Sequence, residues 1–235
     1  MEPDTIRGVE PGRTTALVVA DGDVGERAAY EAAWPGWADD IGLVVAADGG
    51  AHGARSLGFT IHLLVGDADS IQPAELARLV ADGVPIRRAE RDKDESDTEL
   101  AVAAAVELGA SAIVIVGALG GRRLDHALAN IGLLGHPALA GRPCCLLAPE
   151  GRVRLLTGPA SLDLAGPVGD LVSLLAFGDG VTGVTTAGLA YPLTDEPLPA
   201  GPARGLSNIR QDAAATVSLR TGRLLVVETP ARLAS

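Results

Sequence analysis

Gly66-Asp67-Ala68-Asp69-Ser70 follows the apolar run Ile61-His62-Leu63-Leu64-Val65. If that run is a strand, Asp67 and Asp69 lie two residues apart near its carboxyl end, and a roughly extended backbone points both carboxylates to one side. Like charges held that close repel, so one must keep a proton or a cation must neutralise both. Where carboxylates and water are the ligands, the usual cation is Mg²⁺. Asp, Gly and Ser are also ordinary turn formers, so the company this stretch keeps decides between a metal site and a solvated turn.

That company is polar and Gly-rich. Asp48-Gly49-Gly50-Ala51 follows another apolar run; paired glycines let a backbone approach a ligand, and the Asp can serve a metal or a hydroxyl, although Asp-Gly-Gly is also a plain turn. Asp92-Lys93-Asp94-Glu95-Ser96-Asp97 is a dense charged loop. It reads as a solvated loop with a helix cap, or as a second metal-ligand loop in which Asp97 joins Asp67 and Asp69 and Ser96 serves a phosphate oxygen. Gly117-Ala118-Leu119-Gly120-Gly121-Arg122-Arg123-Leu124-Asp125-His126 runs into a helical stretch, Ala127 to Leu134. Glycines ahead of a helix N-terminus with adjacent Arg form a polyphosphate site, since backbone N–H groups attract anions and Arg grips phosphate oxygens in pairs. The spacing is neither a Walker A motif nor Gly-x-Gly-x-x-Gly, and Asp125 could equally cap the helix and pair with Arg123.

The elements that must hold these loops repeat one pattern between residues 14 and 148: an apolar run, a Gly/Asp-rich turn, then an Ala-rich stretch of helical spacing. The runs are Thr15 to Ala20, Leu43 to Ala47, Ile61 to Val65, Val84 to Arg88, Ala112 to Val116 and Cys144 to Ala148. Alternating strands and helices predict βαβ units and a parallel sheet. Three of the runs are almost continuously apolar, as strands covered on both faces are. Pro73 with Glu75 opens one helix, and Ser96 with Glu99 resembles a capping box for another. Every polar cluster follows a strand, which places them all at the carboxyl edge where open α/β sheets bind ligands.

Beyond Pro149-Glu150-Gly151 the helical period disappears. Val153 to Leu156, Leu171 to Phe177, Val181 to Thr186, Ala214 to Leu219 and Leu224 to Val227 are short runs between Gly, Pro and Asp turns. The expected organisation is an α/β domain with a mostly parallel sheet over residues 1–148 and an all-β, sandwich-like domain over 149–235, with Thr194 to Gly205 as a loop.

Composition sets limits. Of 235 residues 47% are hydrophobic but only 3% aromatic, so the core must be built from Ala, Val, Leu and Ile. A net charge of −11 argues against a nucleic-acid partner. An anionic nucleotide would need metal ions or placed Arg residues to screen it. No apolar run approaches membrane-span length and Met1-Glu2-Pro3-Asp4 is no secretory signal, which predicts a cytoplasmic protein without a membrane partner. Cys144 and Cys145, adjacent on a strand, point to opposite faces and read as small buried hydrophobes.

Taken in order, these motifs resemble those of the thiamine pyrophosphokinase (thiamine diphosphokinase) family: Asp-Gly-Gly-Ala, Gly-Asp-x-Asp-Ser, Lys-Asp-x-Thr-Asp, a Gly-Gly-Arg-x-Asp-His segment ending in Ala-Asn, and a later Ser-Asn. Here the last elements are Lys93 to Asp97, Gly120 to His126 with Ala129-Asn130, and Gly205-Leu206-Ser207-Asn208. The resemblance implies an α/β catalytic domain, a β-sandwich thiamine-binding domain, and a homodimer with thiamine sites between subunits. It implies transfer of the pyrophosphoryl group of ATP to the hydroxyl of thiamine, with Asp67, Asp69 and Asp97 as Mg²⁺ ligands and Asp48 beside them. Asp48, Gly49, Gly50, Ser70, Ser96, Gly120, Gly121, Arg122, Arg123, Asp125, His126 and Asn130 fall to the nucleotide side. Ser207, Asn208 and the aromatic Tyr191 fall to thiamine, the ring suited to stack on a cationic heterocycle, and Lys93 reaches toward the thiamine of the partner subunit. Asp94 is the candidate general base, with His126 a poorer one. Ser96 stands where Thr is usual, His52 where Asn often follows, and Arg122-Arg123 has one Arg more than expected; counting back from Asp125 favours Arg123. The rival readings are a metal-dependent phosphohydrolase and a non-catalytic nucleotide or thiamine sensor.

Overall fold

The computed structural model describes residues 14–67, 69, 71–90, 93–121 and 123–233, and the chain divides into two compact units, Met1–Pro149 and Glu150–Ser235. The first unit has strands β1 (Thr15–Val19), β2 (Ile41–Ala47), β3 (Leu63–Gly66), β4 (Ile86–Arg88), β5 (Ala112–Val116) and β6 (Cys144–Ala148). Between them lie helices α1 (Arg27–Ala33), α2 (Gly50–Ser56), α3 (Pro73–Ala81), α4 (Asp97–Glu107) and α5 (Leu124–Leu133).

These strands run in the order β6-β5-β1-β2-β3-β4, every neighbouring pair parallel. Strands β1, β2, β3 and β5 are apolar along most of their length, and Leu17, Val18, Leu43, Val45 and Leu64 are inaccessible or nearly so. Helices α2 and α4 pack on β1 and β2. The few aromatics cluster: Tyr30 lies 4.9 Å from Trp37, which meets Phe59 edge-on at 5.6 Å.

The start signals of the helices hold. Pro73 occupies the first turn of α3 with Glu75, and the Ser96 hydroxyl accepts the Glu99 N–H at 3.1 Å to cap α4. Helix α5 begins at Leu124, three residues earlier than the periodicity predicts, with Arg123 at its cap and Asp125 in its first turn. The apolar pattern hides that turn because Leu124 and Leu128 are exposed rather than buried.

Chain order makes β1 the turning point. From it the chain steps outward through β2, β3 and β4, then crosses to β5 on the other side of β1. The loops leaving β1 and β5 therefore diverge at their carboxyl ends, which is where a crevice opens in such sheets.

The second unit is antiparallel: β7 (Gly151–Thr157), β14 (Arg223–Thr229), β9 (Leu171–Ala176) and β12 (Asn208–Ile209) neighbour one another in that order. A second sheet runs β11-β10-β13-β8, from Glu196–Pro199, Gly180–Ala187, Ala215–Leu219 and Ala160–Leu164. Leu156, Val172, Leu224 and Val226 from the first sheet share one core with Val181, Val184, Val217 and Leu219 from the other, the packing of a sandwich. The expected 194–205 loop is thus partly strand. Two prolines mask β11 in the sequence, and they are tolerated because β11 is an edge strand, paired only with β10. Among the described residues no helix is long and apolar enough to cross a membrane.

Candidate functional site: an acidic cleft and an exposed tyrosine

The first unit carries a cleft of about 670 Å³ at the β1/β5 divergence, lined by Asp21, Asp48, Asp69, Lys93, Ser96, Asp97, Gly120, Gly121, Arg123, Asp125, His126 and Asn130 among others. Four loops following β1, β2, β3 and β5 meet here with the start of α4, as the sequence expects of the carboxyl edge.

Single carboxylate oxygens of Asp48, Asp67 and Asp69 come within 4.8 Å of one another. Asp67 and Asp69 converge through a turn and not through strand alternation: β3 ends at Gly66, and the Asp67 carboxylate accepts the Asp69 N–H at 3.0 Å. Gly66 has φ 144°, and a Cβ there would stand 3.0 Å from the Asp48 Cβ, so glycine lets Asp48 lie across the strand end. Asp48 is itself 3% exposed and held at φ 45°, a left-handed conformation uncommon for a side-chain-bearing residue. Its N–H bonds the Val65 carbonyl at 2.8 Å, which ties the β2 and β3 loops together.

Asp97 differs from its expected place. It lines the same cleft, but its carboxylate receives the Lys93 ammonium at 2.5 Å and lies outside the close trio, where Asp48 stands instead. Asp94 is exposed and is not among the residues lining the cleft. Ser70 and Arg122 lie outside the described residues. Arg123 presents its guanidinium to Asp125 through Nε at 2.9 Å and a terminal nitrogen at 2.5 Å; this pairing raises the Arg123 pKa and depresses that of Asp125. Asn130 is buried and donates to the Ala118 carbonyl at 3.0 Å, so it locks the Gly-rich loop.

The glycines serve the chain's own packing. A Cβ on Gly49 would fall 1.9 Å from an Asp21 carboxylate oxygen, one on Gly50 2.1 Å from the Val19 carbonyl, and one on Gly120 2.8 Å from the Asp23 carbonyl. The close approach expected of a ligand is thus made first by the β1 loop. Asp21 is the residue that sequence reasoning missed. Its pKa is raised by partial burial, then by Asp48, Asp97 and Asp69, against a lowering by His126. The available signal was its position directly after β1, matching the motifs after β2, β3 and β5.

In the second unit Tyr191 is 68% exposed, Asn208 is 7% exposed, and Ser207 has φ 55°. The Asn208 side chain is bonded to the main chain of Tyr191, so of the expected thiamine contacts in this unit it is the one already engaged.

All of the cleft but its β1 loop, and the tyrosine, fall inside two matched regions. Residues 37–146 match the family model described as thiamin pyrophosphokinase, catalytic domain, and residues 162–224 match thiamin pyrophosphokinase, vitamin B1 binding domain. The chain is 26% identical over 195 residues to thiamine pyrophosphokinase of Bacillus subtilis, covering 83% of this chain and 90% of that relative. The crystal structure of the Bacillus subtilis thiamine pyrophosphokinase superposes with a TM-score of 0.79 at 25% identity, covering 92% of this chain and 99% of that one. The Candida albicans thiamin pyrophosphokinase, at 14% identity and TM-score 0.75 over 93% of this chain and 89% of its own, shares the fold. Two domain models of one family, matched one after the other along the chain, mean that it belongs to the thiamin pyrophosphokinase family of enzymes.

Proposed function

We propose that the chain transfers the pyrophosphoryl group of ATP to the hydroxyl of thiamine, giving thiamine diphosphate and AMP. The observation that carries the reading is the convergence of Asp48, Asp67 and Asp69, of which Asp48 and Asp69 line the same cleft as Arg123 and Lys93 at the β1/β5 divergence. In this reading the first unit is the ATP-binding catalytic domain and the second the thiamine-binding domain.

The donor set fits a divalent cation. Three carboxylates, one buried and held in a strained conformation, form an oxygen-only trio suited to Mg²⁺. When bound, the ion supplies neutralisation of phosphate charge. Asp48, Asp67 and Asp69 would hold it, with Asp97 lining the same cleft.

The thiamine hydroxyl oxygen attacks the β-phosphorus, and the bond from that phosphorus to the oxygen shared with the α-phosphate breaks, leaving with AMP. Such transfers depend on in-line positioning and charge balance more than on covalent help from the protein. Arg123 is suited to the phosphates because Asp125 engages one edge of its guanidinium and leaves other N–H groups for oxygen ligands. Ser96 offers its hydroxyl at the start of α4, and Gly120, Gly121 and His126 line the phosphate side. Asn130 fixes the loop that carries them. Tyr191 stacks on the pyrimidine of thiamine, with Ser207 beside it. We further propose a cytoplasmic homodimer with thiamine bound at the subunit interface.

The test is product identity. Purified protein with ATP, Mg²⁺ and thiamine should release AMP in step with thiamine diphosphate. Release of ADP would make it a monophosphate-transferring kinase, inorganic phosphate from a thiamine-free mixture would make it a phosphohydrolase, and binding without turnover would make it a sensor.

A further inference from the structure

The family resemblance gives Asn208 to thiamine, but its side chain is committed elsewhere. Its Oδ1 accepts the Tyr191 N–H at 2.9 Å and the Ile209 N–H at 2.9 Å, while Nδ2 donates to the Tyr191 carbonyl at 2.7 Å. A side-chain amide has one oxygen with two lone pairs and two N–H donors, so both lone pairs and one donor are used. Two of the three bonds clamp the main chain of a single residue, from both its N–H and its C=O.

That residue needs a clamp. With 68% of its surface exposed, Tyr191 has little packing of its own to fix it, and ordering a backbone position costs about 1–2 kcal/mol of entropy. The bond from Ser207 N–H to the Ser173 hydroxyl, at 3.0 Å, holds the left-handed turn just before Asn208 on strand β9. A continuous line of bonds therefore runs from β9 through Ser207 and Asn208 to the main chain that carries the exposed ring.

We propose that Asn208 is a positioning residue, which presents the Tyr191 ring to thiamine and does not itself touch the substrate. The proposal rests on the reading of Tyr191 as the stacking aromatic, and two measurements separate the two.

The chain has two tyrosines, so protein labelled with 3-fluorotyrosine gives two ¹⁹F resonances, assigned by Tyr191→Phe. In Asn208→Ala, and in Asn208→Asp, which keeps the acceptor oxygen and removes the Nδ2 donor, the Tyr191 resonance should shift or broaden while that of buried Tyr30 stays. A Tyr191 resonance unmoved in both variants overturns the proposal. Calorimetry then reads thiamine affinity: Tyr191→Ala should weaken it about tenfold and Asn208→Ala somewhat less. ATP affinity should not change. The double variant should bind no more weakly than Tyr191→Ala alone; losses that multiply would mean that Asn208 contacts thiamine directly, and the proposal falls. If Tyr191→Ala binds thiamine like the parent, the stacking reading fails, and with it the ligand role given to Asn208, whatever the fluorine spectrum shows of the clamp.

Discussion

Glu228 in the second unit and the carboxylates of the first unit's cleft are both crowded acidic groups, but the chain treats them differently. Glu228 is 2% exposed and gripped by Arg152, at 2.8 and 2.9 Å, and by Arg154 at 2.8 Å. In the cleft, Lys93 engages Asp97 and Arg123 engages Asp125, while partial burial and then the neighbouring carboxylates of Asp48, Asp97 and Asp69 lift the Asp21 pKa. Interior charge that serves stability is balanced by the chain itself. Among the described residues lining the cleft, acidic groups outnumber basic ones, and titratable groups pushed away from their ordinary values often mark functional places.

The sharpest way to break that contrast is a pair of amide substitutions. Asp67→Asn should cut thiamine-dependent AMP release by about 10³-fold or more, on the scale of the several kcal/mol that a metal-held charge contributes. Its melting temperature should stay level or rise, because a repelling charge is gone. Glu228→Gln should do the reverse. Leaving the half-buried Arg152 and Arg154 beside a neutral amide should cost about 3 kcal/mol, or roughly 6–12 °C in melting temperature for a chain of this size. Turnover below the new transition should persist. Equal losses of stability in the two variants would mean that the cleft carboxylates are structural and the contrast is false.

A smaller effect separates packing from chemistry at Gly49. A Cβ there meets the Asp21 carboxylate at 1.9 Å, so Gly49→Ala forces that side chain aside at a cost of about 1–3 kcal/mol. Because the obstacle is a side chain, Gly49→Ala with Asp21→Ala should regain most of the lost melting temperature. Gly50→Ala meets the backbone carbonyl of Val19, and no partner substitution should rescue it. Rescue of both, or of neither, by truncating Asp21 would show that the β1 loop is not what makes these glycines necessary.

The parallel sheet, the sandwich and the loops of the cleft were legible in the sequence because each rests on local signals. Apolar runs specify β1, β2 and β3, Ser96 and Pro73 mark helix starts, and every acidic motif follows a strand. What the sequence does not carry is which partner each polar group finds. Asp97 and Asp48 are alike as letters, yet Asp97 meets Lys93 one helical turn away while Asp48 is swung toward Asp67 by a left-handed backbone and the space that Gly66 leaves. Asp94 sits in a motif but faces outward. Asp21 sits in no motif, and only the neighbouring of β1 with β2 brings it against Gly49. Strand β11 was hidden by prolines that an edge position tolerates.

Asp21 gives the finest measure of the excess charge. Its folded-state pKa lies above the ordinary 3.8, so between those two values the folded chain binds protons that the unfolded chain has released. Stability therefore falls as pH rises through that window, and at neutral pH the ionised carboxylate is a net cost. Asp21→Asn removes the cost. At pH 7 the variant should melt above the parent by about 1 °C, a small margin because the exposed side chain is screened by solvent. The margin should shrink to nothing as pH falls below about 3.8, where the parent's carboxyl is protonated in both states. Millimolar Mg²⁺ should raise the melting temperature of the parent and narrow the same gap in part, since a cation among Asp48, Asp67 and Asp69 offsets the repulsion from Asp48 and Asp69 that adds to burial in lifting the Asp21 pKa. A variant less stable than the parent at pH 7 would show that Asp21 is held by favourable contacts, and the cleft would then be balanced by the chain as Glu228 is.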